Sequence, residues 1–352
     1  MASTEGVVTA QASPNIAFIK YWGKRDEERI LPQNSSLSMT LSSAVLNTTT
    51  SVMASEKIKG DTFYLNGKKL EMNDNETKER LKVISMMRAL SGSKAGTLIV
   101  SSNNFPSSSG LASSASGTAA LVYALNAAFN LKMNPRELSI MARQGSGSAC
   151  RSMMGGIVSW KRGIKDDGSD SYAVQEFNEK YWPEVIDLIA IASHEKKKIP
   201  SRAGMRQTVE TNPLFMQRRV SAEKRLEEVL EAYRKKDFNA LASLIMADSN
   251  EMHALMLSTI PSIRYLNPSS LKIMDAIEEL NAAEGKNIAG YTFDAGPNAH
   301  IITLKTNRRK ITDILSNTEG LESLEFKSSP QGSGPELLKE TSLIDTDTLA
   351  PA

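Results

Sequence analysis

One cysteine, Cys150, occurs in the 352 residues, so no intramolecular disulfide can form and a zinc site built on several cysteines is excluded. Histidine is nearly as sparse. His194, His253 and His300 show no ligand spacing, which predicts surface or helix-capping roles rather than catalytic ones. No run approaches the roughly 20 apolar residues that cross a bilayer. The opening residues, MASTEGVVTAQASPN, lack a basic segment ahead of an apolar one, so no secretory leader is expected. Neither sign of charge is in excess: 42 Lys+Arg against 40 Asp+Glu leaves a net charge of +2. That balance provides no general attraction to nucleic acid or to an anionic membrane, and neither is expected as a partner. Together these absences predict a soluble, cytoplasmic protein, and the length suits two domains better than one core.

What is present is a succession of short strands and amphipathic or buried helices. Residues 6–12 and 46–56 are rich in Val and Thr and read as strands. Asn66-Gly67 lies between two short strand-like runs, a strong hairpin signal. Helical periods cover 76–90, 113–130, 135–144, 221–237, 238–258 and 269–283, with strands at 97–104, 185–193, 289–293 and 300–306. Helices interleaved with antiparallel-looking strands predict an α+β fold. A boundary near 185 divides it into domains 1–184 and 185–352. From residue 328 onward the chain is rich in Gly, Pro and Ser, and an irregular tail is expected.

Four segments carry the chemistry. Residues 102–117, SNNFPSSSGLASSASG, put small residues just ahead of an Ala-rich helix. The N–H groups at a helix start suit a phosphate chain, although a plain helix cap has the same look, and no Walker Gly-Lys-Ser/Thr follows. Residues 145–156, GSGSACRSMMGG, carry Ser146, Ser148 and Arg151; two hydroxyls and a planar guanidinium can grip an anion, or form a solvated connector. Residues 12–26, ASPNIAFIKYWGKRD, set Lys20 and Lys24 around Tyr21 and Trp22, as an anion site or a solvated charge pair. In residues 291–300, YTFDAGPNAH, Asp294 follows a strand-like run and enters a Gly-Pro turn, either as an Asx-turn residue or as a general base.

In this order the four segments resemble the mevalonate diphosphate decarboxylases of the GHMP small-molecule kinase superfamily. MADSNEMHA (246–254) and GSGPE (332–336) add to the likeness, which extends over about residues 8 to 345. The resemblance implies a two-domain GHMP fold, with a ribosomal-S5-like N-terminal domain and a ferredoxin-like C-terminal domain. It implies ATP-dependent conversion of 5-diphosphomevalonate to isopentenyl diphosphate, ADP, phosphate and carbon dioxide, with ATP and Mg2+ required and a homodimer formed.

By the same resemblance Asp294, Lys20 and Arg151 are the catalytic group. Asp294 acts on the 3-hydroxyl, Lys20 neutralises the transferring phosphoryl group, and Arg151 holds the substrate carboxylate. Asn15, Tyr21, Trp22, Gly23, Lys24, Ser146, Gly147, Ser148, Ala149, Cys150, Ser201, Arg202 and Met205 are implied to line the small anionic substrate. Asn104, Pro106, Ser107, Ser108, Ser109, Gly110, Leu111, Ala112, Ser113 and Ser114 are implied to hold the nucleotide, with Ser114 near the metal. Lys20, Lys24, Arg151 and Arg202 would then match a substrate of roughly four negative charges. Decarboxylation of a mevalonate monophosphate or 3,5-bisphosphate, 3-hydroxyl phosphorylation without decarboxylation, and a nucleotide-binding module without turnover are the alternatives.

Overall fold

Three sheets of four or more strands and eight α-helices organise the described part of the computed structural model, which comprises residues 6–71, 75–105, 113–195 and 197–352. The helices are α1 (Asn75–Ser91), α2 (Ser113–Ala128), α3 (Pro135–Gly145), α4 (Ser201–Thr211), α5 (Phe215–Arg234), α6 (Phe238–Ser258), α7 (Pro268–Glu284) and α8 (Arg308–Ser316).

Their ends follow local chemistry. Asn134 and Asn267 cap α3 and α7 by accepting the N–H of Glu137 and of Ser270, each with proline as the first helical residue. Gly285 ends α7 in the left-handed conformation that favours glycine, at φ 65°. Asp237 caps α6 by accepting the Ala240 N–H, so the long polar-to-apolar run breaks there into two helices.

A six-stranded sheet takes five strands from the first half, Val7–Ala12, Thr48–Ser55, Asp61–Leu65, Lys68–Lys69 and Gly96–Asn103, and its sixth, Glu336–Leu338, from near the end of the chain. Asp61–Leu65 and Lys68–Lys69 form the expected hairpin, with Asn66 and Gly67 both at positive φ. A second sheet orders Ala173–Phe177, Ile157–Trp160, Ser36–Thr40 and Asn15–Ile19. The third is antiparallel, in the order Ala289–Phe293, Ala299–Leu304, Val185–Ile191 and Glu325–Pro330.

The chain beyond residue 328 is not irregular. Glu325–Pro330 pairs with Val185–Ile191, Glu336–Leu338 joins the first sheet beside Val7–Ala12, and Ile344–Asp345 pairs with Ala350–Pro351. These strands are short and take their pairing from distant backbone, so no local alternation announces them. Pro330 is tolerated because it ends an edge strand, where a missing N–H breaks no ladder bond.

One core binds the two halves. Phe18, Leu37 and Met39 from the second sheet pack with Leu226 and Tyr233 of α5, Leu241 and Ile245 of α6, and Ile189 of the third sheet. Each side chain of this size stabilises the fold by about 1.5–3 kcal/mol when fully buried. The shared core therefore holds the C-terminal end of Asn15–Ile19 against α5 and α6, where the candidate site lies.

Candidate active site

Lys20 follows the strand Asn15–Ile19, and Asp294 follows the strand Ala289–Phe293. Although 274 residues apart, they meet: Lys20 Nζ donates to Asp294 Oδ1 at 2.7 Å. The lysine side chain is 2% exposed and the aspartate 32%, so the pair has one sealed side and one open side. Burial pushes the Asp294 carboxyl up, but the Lys20 ammonium outweighs it, helped by His300 and Arg151, and holds it below the ordinary carboxylate range. An ionised carboxylate thus faces solvent from a cationic floor.

Arg151 stands on the 3₁₀ helix Gly147–Met153, buried to 2% exposure. Its Nε donates to Ser38 Oγ at 2.9 Å and Asn15 Oδ1 at 3.3 Å, and one terminal nitrogen donates to Ser36 Oγ at 2.5 Å. Asn15 is itself held, donating to Ser152 Oγ at 2.8 Å and the Ser148 carbonyl at 3.1 Å. Among the described residues no carboxylate lies within ion-pair distance of Arg151. A buried cation held only by neutral oxygens is unfavourable without an anion. The arrangement orients the guanidinium and leaves its charge for a ligand.

The other expected cations are differently placed. Lys24 Nζ lies 2.5 Å from Glu27, and Arg202 pairs with Glu79 while donating to the Gly145 carbonyl at 3.0 Å. Three of the four are therefore matched by carboxylates, which the simple charge count did not include. Tyr21 joins the two groups electrostatically, since Glu27, Arg202, Cys150 and Arg151 all act on its phenol, which burial pushes up. Its hydroxyl is buried without a hydrogen bond, and a Cβ at position 147 would meet its ring at 2.8 Å. Gly147 thus makes room for Tyr21.

Several residues expected to line the substrate are committed to packing. The Trp22 indole donates to Thr208 Oγ1 at 3.0 Å, and Trp22 and Met205 share a cluster with Met252 and Tyr265. Gly23, at φ 106°, admits Phe215, which a Cβ would meet at 2.6 Å. Ala149 is core, and Cys150 packs on Trp160, where burial pushes its thiol up to about 12. Ser201 opens α4 and accepts from Lys197.

Of the residues expected to hold the nucleotide, Ser113 and Ser114 begin α2, and Ser114 Oγ lies 3.4 Å from Ser146 Oγ. Asn104 is used locally, accepting the Asn47 N–H at 2.8 Å and donating to the Val45 carbonyl at 3.2 Å. Pro106, Ser107, Ser108, Ser109, Gly110, Leu111 and Ala112 lie outside the described residues.

Sequence reasoning missed Ser36 and Ser38 as partners of Arg151. The signal was there: SLSMT alternates hydroxyl and apolar side chains, which puts both serines on one face of a strand. It also missed that two histidines are internal. His300 Nδ1 lies 2.6 Å from Asp187 Oδ2, and His253 stacks edge-on against Phe293, with ring centroids 6.2 Å apart. Both are nearly inaccessible, at 3% and 6% exposure, because neighbouring strands and helices supply contacts that spacing along the chain cannot reveal.

Burial, with the nearby Lys20 ammonium, pulls His253 down to about 4. A value below the ordinary ~6.5 means that the unfolded chain takes up the proton first as pH falls. The stability contributed by the neutral ring is present above about pH 6.5 and is lost between there and about pH 4. His253→Phe is expected to flatten the decline of melting temperature across that window. Thermal scans of both proteins check it, and identical slopes would remove His253 from the pH response.

Comparison with known proteins gives the family of the chain. The model of the diphosphomevalonate decarboxylase-like N-terminal domain matches residues 12–173, and that of the mevalonate 5-diphosphate decarboxylase C-terminal domain matches residues 187–341. The diphosphomevalonate decarboxylase of Debaryomyces hansenii is 43% identical over 354 residues, covering 96% of this chain and 91% of the relative. The crystal structure of mevalonate diphosphate decarboxylase from Staphylococcus aureus superposes with a TM-score of 0.87 at 34% identity, covering 95% of this chain and 98% of that one. A solved complex, MDDEF with MVAPP, AMPPCP and magnesium, gives 0.85 at 36% identity, covering 95% and 99%. Fold and site define an α+β enzyme of the GHMP kinase class. Within that class, the chain belongs to the diphosphomevalonate decarboxylase family.

Proposed function

We propose that this chain catalyses the ATP-dependent decarboxylation of (R)-5-diphosphomevalonate to isopentenyl diphosphate, ADP, phosphate and carbon dioxide. The observation that carries the reading is the ionised Lys20–Asp294 pair in electrostatic reach of Arg151, a buried guanidinium with no carboxylate partner among the described residues. A tertiary hydroxyl leaves poorly, and its phosphorylation by ATP makes it a good leaving group.

Each residue then has a role its surroundings support. Asp294 orients the 3-hydroxyl and accepts its proton as the oxygen bonds to the γ-phosphorus and ADP departs. Lys20 steadies the negative charge on the transferring group. When the C3–O bond breaks with its electron pair on phosphate, the Asp294 carboxylate faces the cationic centre left behind. Electrons of the bond to the carboxylate carbon form the new double bond as carbon dioxide leaves. Arg151 holds that carboxylate in place. The Tyr21 phenol lies in the field of both Arg151 and Arg202, and Lys24 and Arg202 would exchange their carboxylate partners for substrate phosphates.

The hydroxyls of Ser113 and Ser114, beside Ser146 at the start of α2, are hard oxygen donors of the kind that suits magnesium carried on nucleotide phosphates. Bound there, magnesium supplies charge neutralisation for phosphoryl transfer. The same reading has the enzyme acting as a homodimer in the cytoplasm, as the family resemblance implies. No helix among the described residues is long and apolar enough to cross a membrane.

The phosphorylation state of the substrate is tested by a panel of 5-phosphomevalonate, the 3,5-bisphosphate and the diphosphate, following ADP and carbon dioxide together. The diphosphate should give the highest kcat/KM, with equal release of both products. Faster turnover of the monophosphate would overturn the substrate, and ADP without carbon dioxide would make the enzyme a kinase.

A further inference from the structure

The segment MADSNEMHA lies on α6 and carries none of the groups given chemical roles above, yet it touches the backbone beside both reacting side chains. Asp248, fully buried, accepts the N–H of Lys20 through Oδ2 at 2.8 Å. The next residue, Ser249, also fully buried, accepts the N–H of Phe293 through Oγ at 3.0 Å, and Phe293 directly precedes Asp294. Two consecutive residues of one helix therefore hold the two strand ends that carry the Lys20–Asp294 pair.

Each hold is reinforced. Arg218 of α5 donates to both oxygens of Asp248, at 2.6 and 2.9 Å, and Arg225 donates to Oδ1 at 2.8 Å. The carbonyl of Lys20 accepts from Asn34 Nδ2 at 3.0 Å and from Arg218 at 3.4 Å, so both peptide groups flanking the lysine are tied. On the other strand, α6 lies in direct contact with Ala289–Phe293. A Cβ at Gly290 would meet the Ala242 backbone at 2.9 Å, Asn250 donates to the Tyr291 hydroxyl at 3.0 Å, and the His253 ring abuts Phe293.

We propose that α6 is a brace that sets the spacing of Lys20 and Asp294, with Asp248 and Ser249 as its positioning residues. The physical argument is economy of motion. Two groups from opposite ends of a chain keep a 2.7 Å contact best when one rigid element holds both strands, and a helix with one face buried along its whole length is such an element. A buried ion pair is a poor source of net stability, but it fixes direction where hydroxyls alone would allow drift. Displacement of a reacting group by about 1 Å can cost about 10²-fold in rate.

The kinetic part of the test rests on the function proposed above, whereas a titration does not. Ser249→Ala removes the acceptor for the Phe293 N–H with the smallest change of volume. It should lower kcat by about 10-fold or more, leave both KM values within about twofold, and barely alter the melting temperature. Because Lys20 holds the Asp294 carboxyl low, looser contact should raise its titration toward the ordinary carboxylate value. That is read by carboxyl carbon NMR on the protein without substrate, with Asp294→Asn assigning the signal. Lys20, His300, Arg151 and His253 are the other charged or titratable groups whose fields bear on this site, and none of them is altered.

Asp248→Asn keeps an oxygen for the Lys20 N–H but loses the charge gripped by two arginines, and it should lower kcat in the same direction. The titration is read on Ser249→Ala alone, because losing a buried negative charge beside Lys20 itself favours the ionised Asp294 carboxylate. A lower melting temperature in Ser249→Ala, with kcat and the Asp294 titration unchanged, would reduce α6 to a packing helix and overturn the brace. If the wild type did not decarboxylate diphosphomevalonate at all, the proposed function would fail, and the titration would still decide the brace.

Discussion

Asp294→Ala should lower turnover by about 10²–10⁴-fold, the contribution of a positioned general base, while ATP and substrate affinities stay within a few-fold. The carboxylate touches the hydroxyl that reacts, whereas binding is spread over the phosphates and the substrate carboxylate. Asp294→Asn should be as inactive, since an amide cannot accept the proton, but it should be the more stable variant. It leaves an oxygen for Lys20, which is otherwise buried without a partner for its charge. Single-turnover rates with calorimetric binding separate the two effects, and near-normal turnover in either variant would remove Asp294 from the chemistry.

The pH dependence follows with a definite sign. The folded Asp294 titrates below its ordinary range, held there by Lys20 against the effect of burial. Its active, ionised form is therefore present throughout the neutral range and is lost only as pH falls through that depressed value. The stability it contributes follows the same course, complete above the unfolded carboxylate value of about 3.9 and lost below it. An acidic limb of kcat in the neutral range would have to come from another group.

Arg151→Gln should separate activity from stability. Loss of a buried charged grip on the substrate carboxylate should lower kcat/KM by about 10²–10³-fold. The free protein, by contrast, should melt no lower than the wild type. Arg151 is buried with three neutral oxygens and no carboxylate partner among the described residues, so burial already works against its charged form. Removing it relieves that cost. Arg151→Lys should not restore activity, because an ammonium cannot reproduce the planar fork that two serines and an asparagine orient. A large drop in melting temperature for Arg151→Gln would mean that the guanidinium is structural rather than held in reserve for an anion.

Legibility differed sharply between neighbouring residues. The starts of α3 and α7 were readable from Asn-Pro, the hairpin from Asn66-Gly67, and the end of α7 from Gly285, because each depends on a handful of adjacent atoms. The strands after residue 328 were not, since their partners lie as far off as Val7–Ala12. Trp22 and Gly23 sit within the same motif as Lys20 and Lys24, yet face Thr208 and Phe215. Nothing in the order of letters says which way each side chain of that motif turns.

By itself the sequence determined the α+β class, the limits of five of the eight helices to within two residues (α4 and α8 went unread, and α5 starts six residues earlier than its periodicity suggests), and the three residues Lys20, Arg151 and Asp294 as the place to look for chemistry. Those follow from local propensity and from motifs whose likeness to one family extends along almost the whole chain. Only the tertiary structure decided which cations are already matched. Lys24 meets Glu27, Arg202 meets Glu79 and Lys20 meets Asp294, while Arg151 has neutral partners. The reason is that charge is neutralised across space, by residues up to 274 positions away, and a count along the chain cannot see distance.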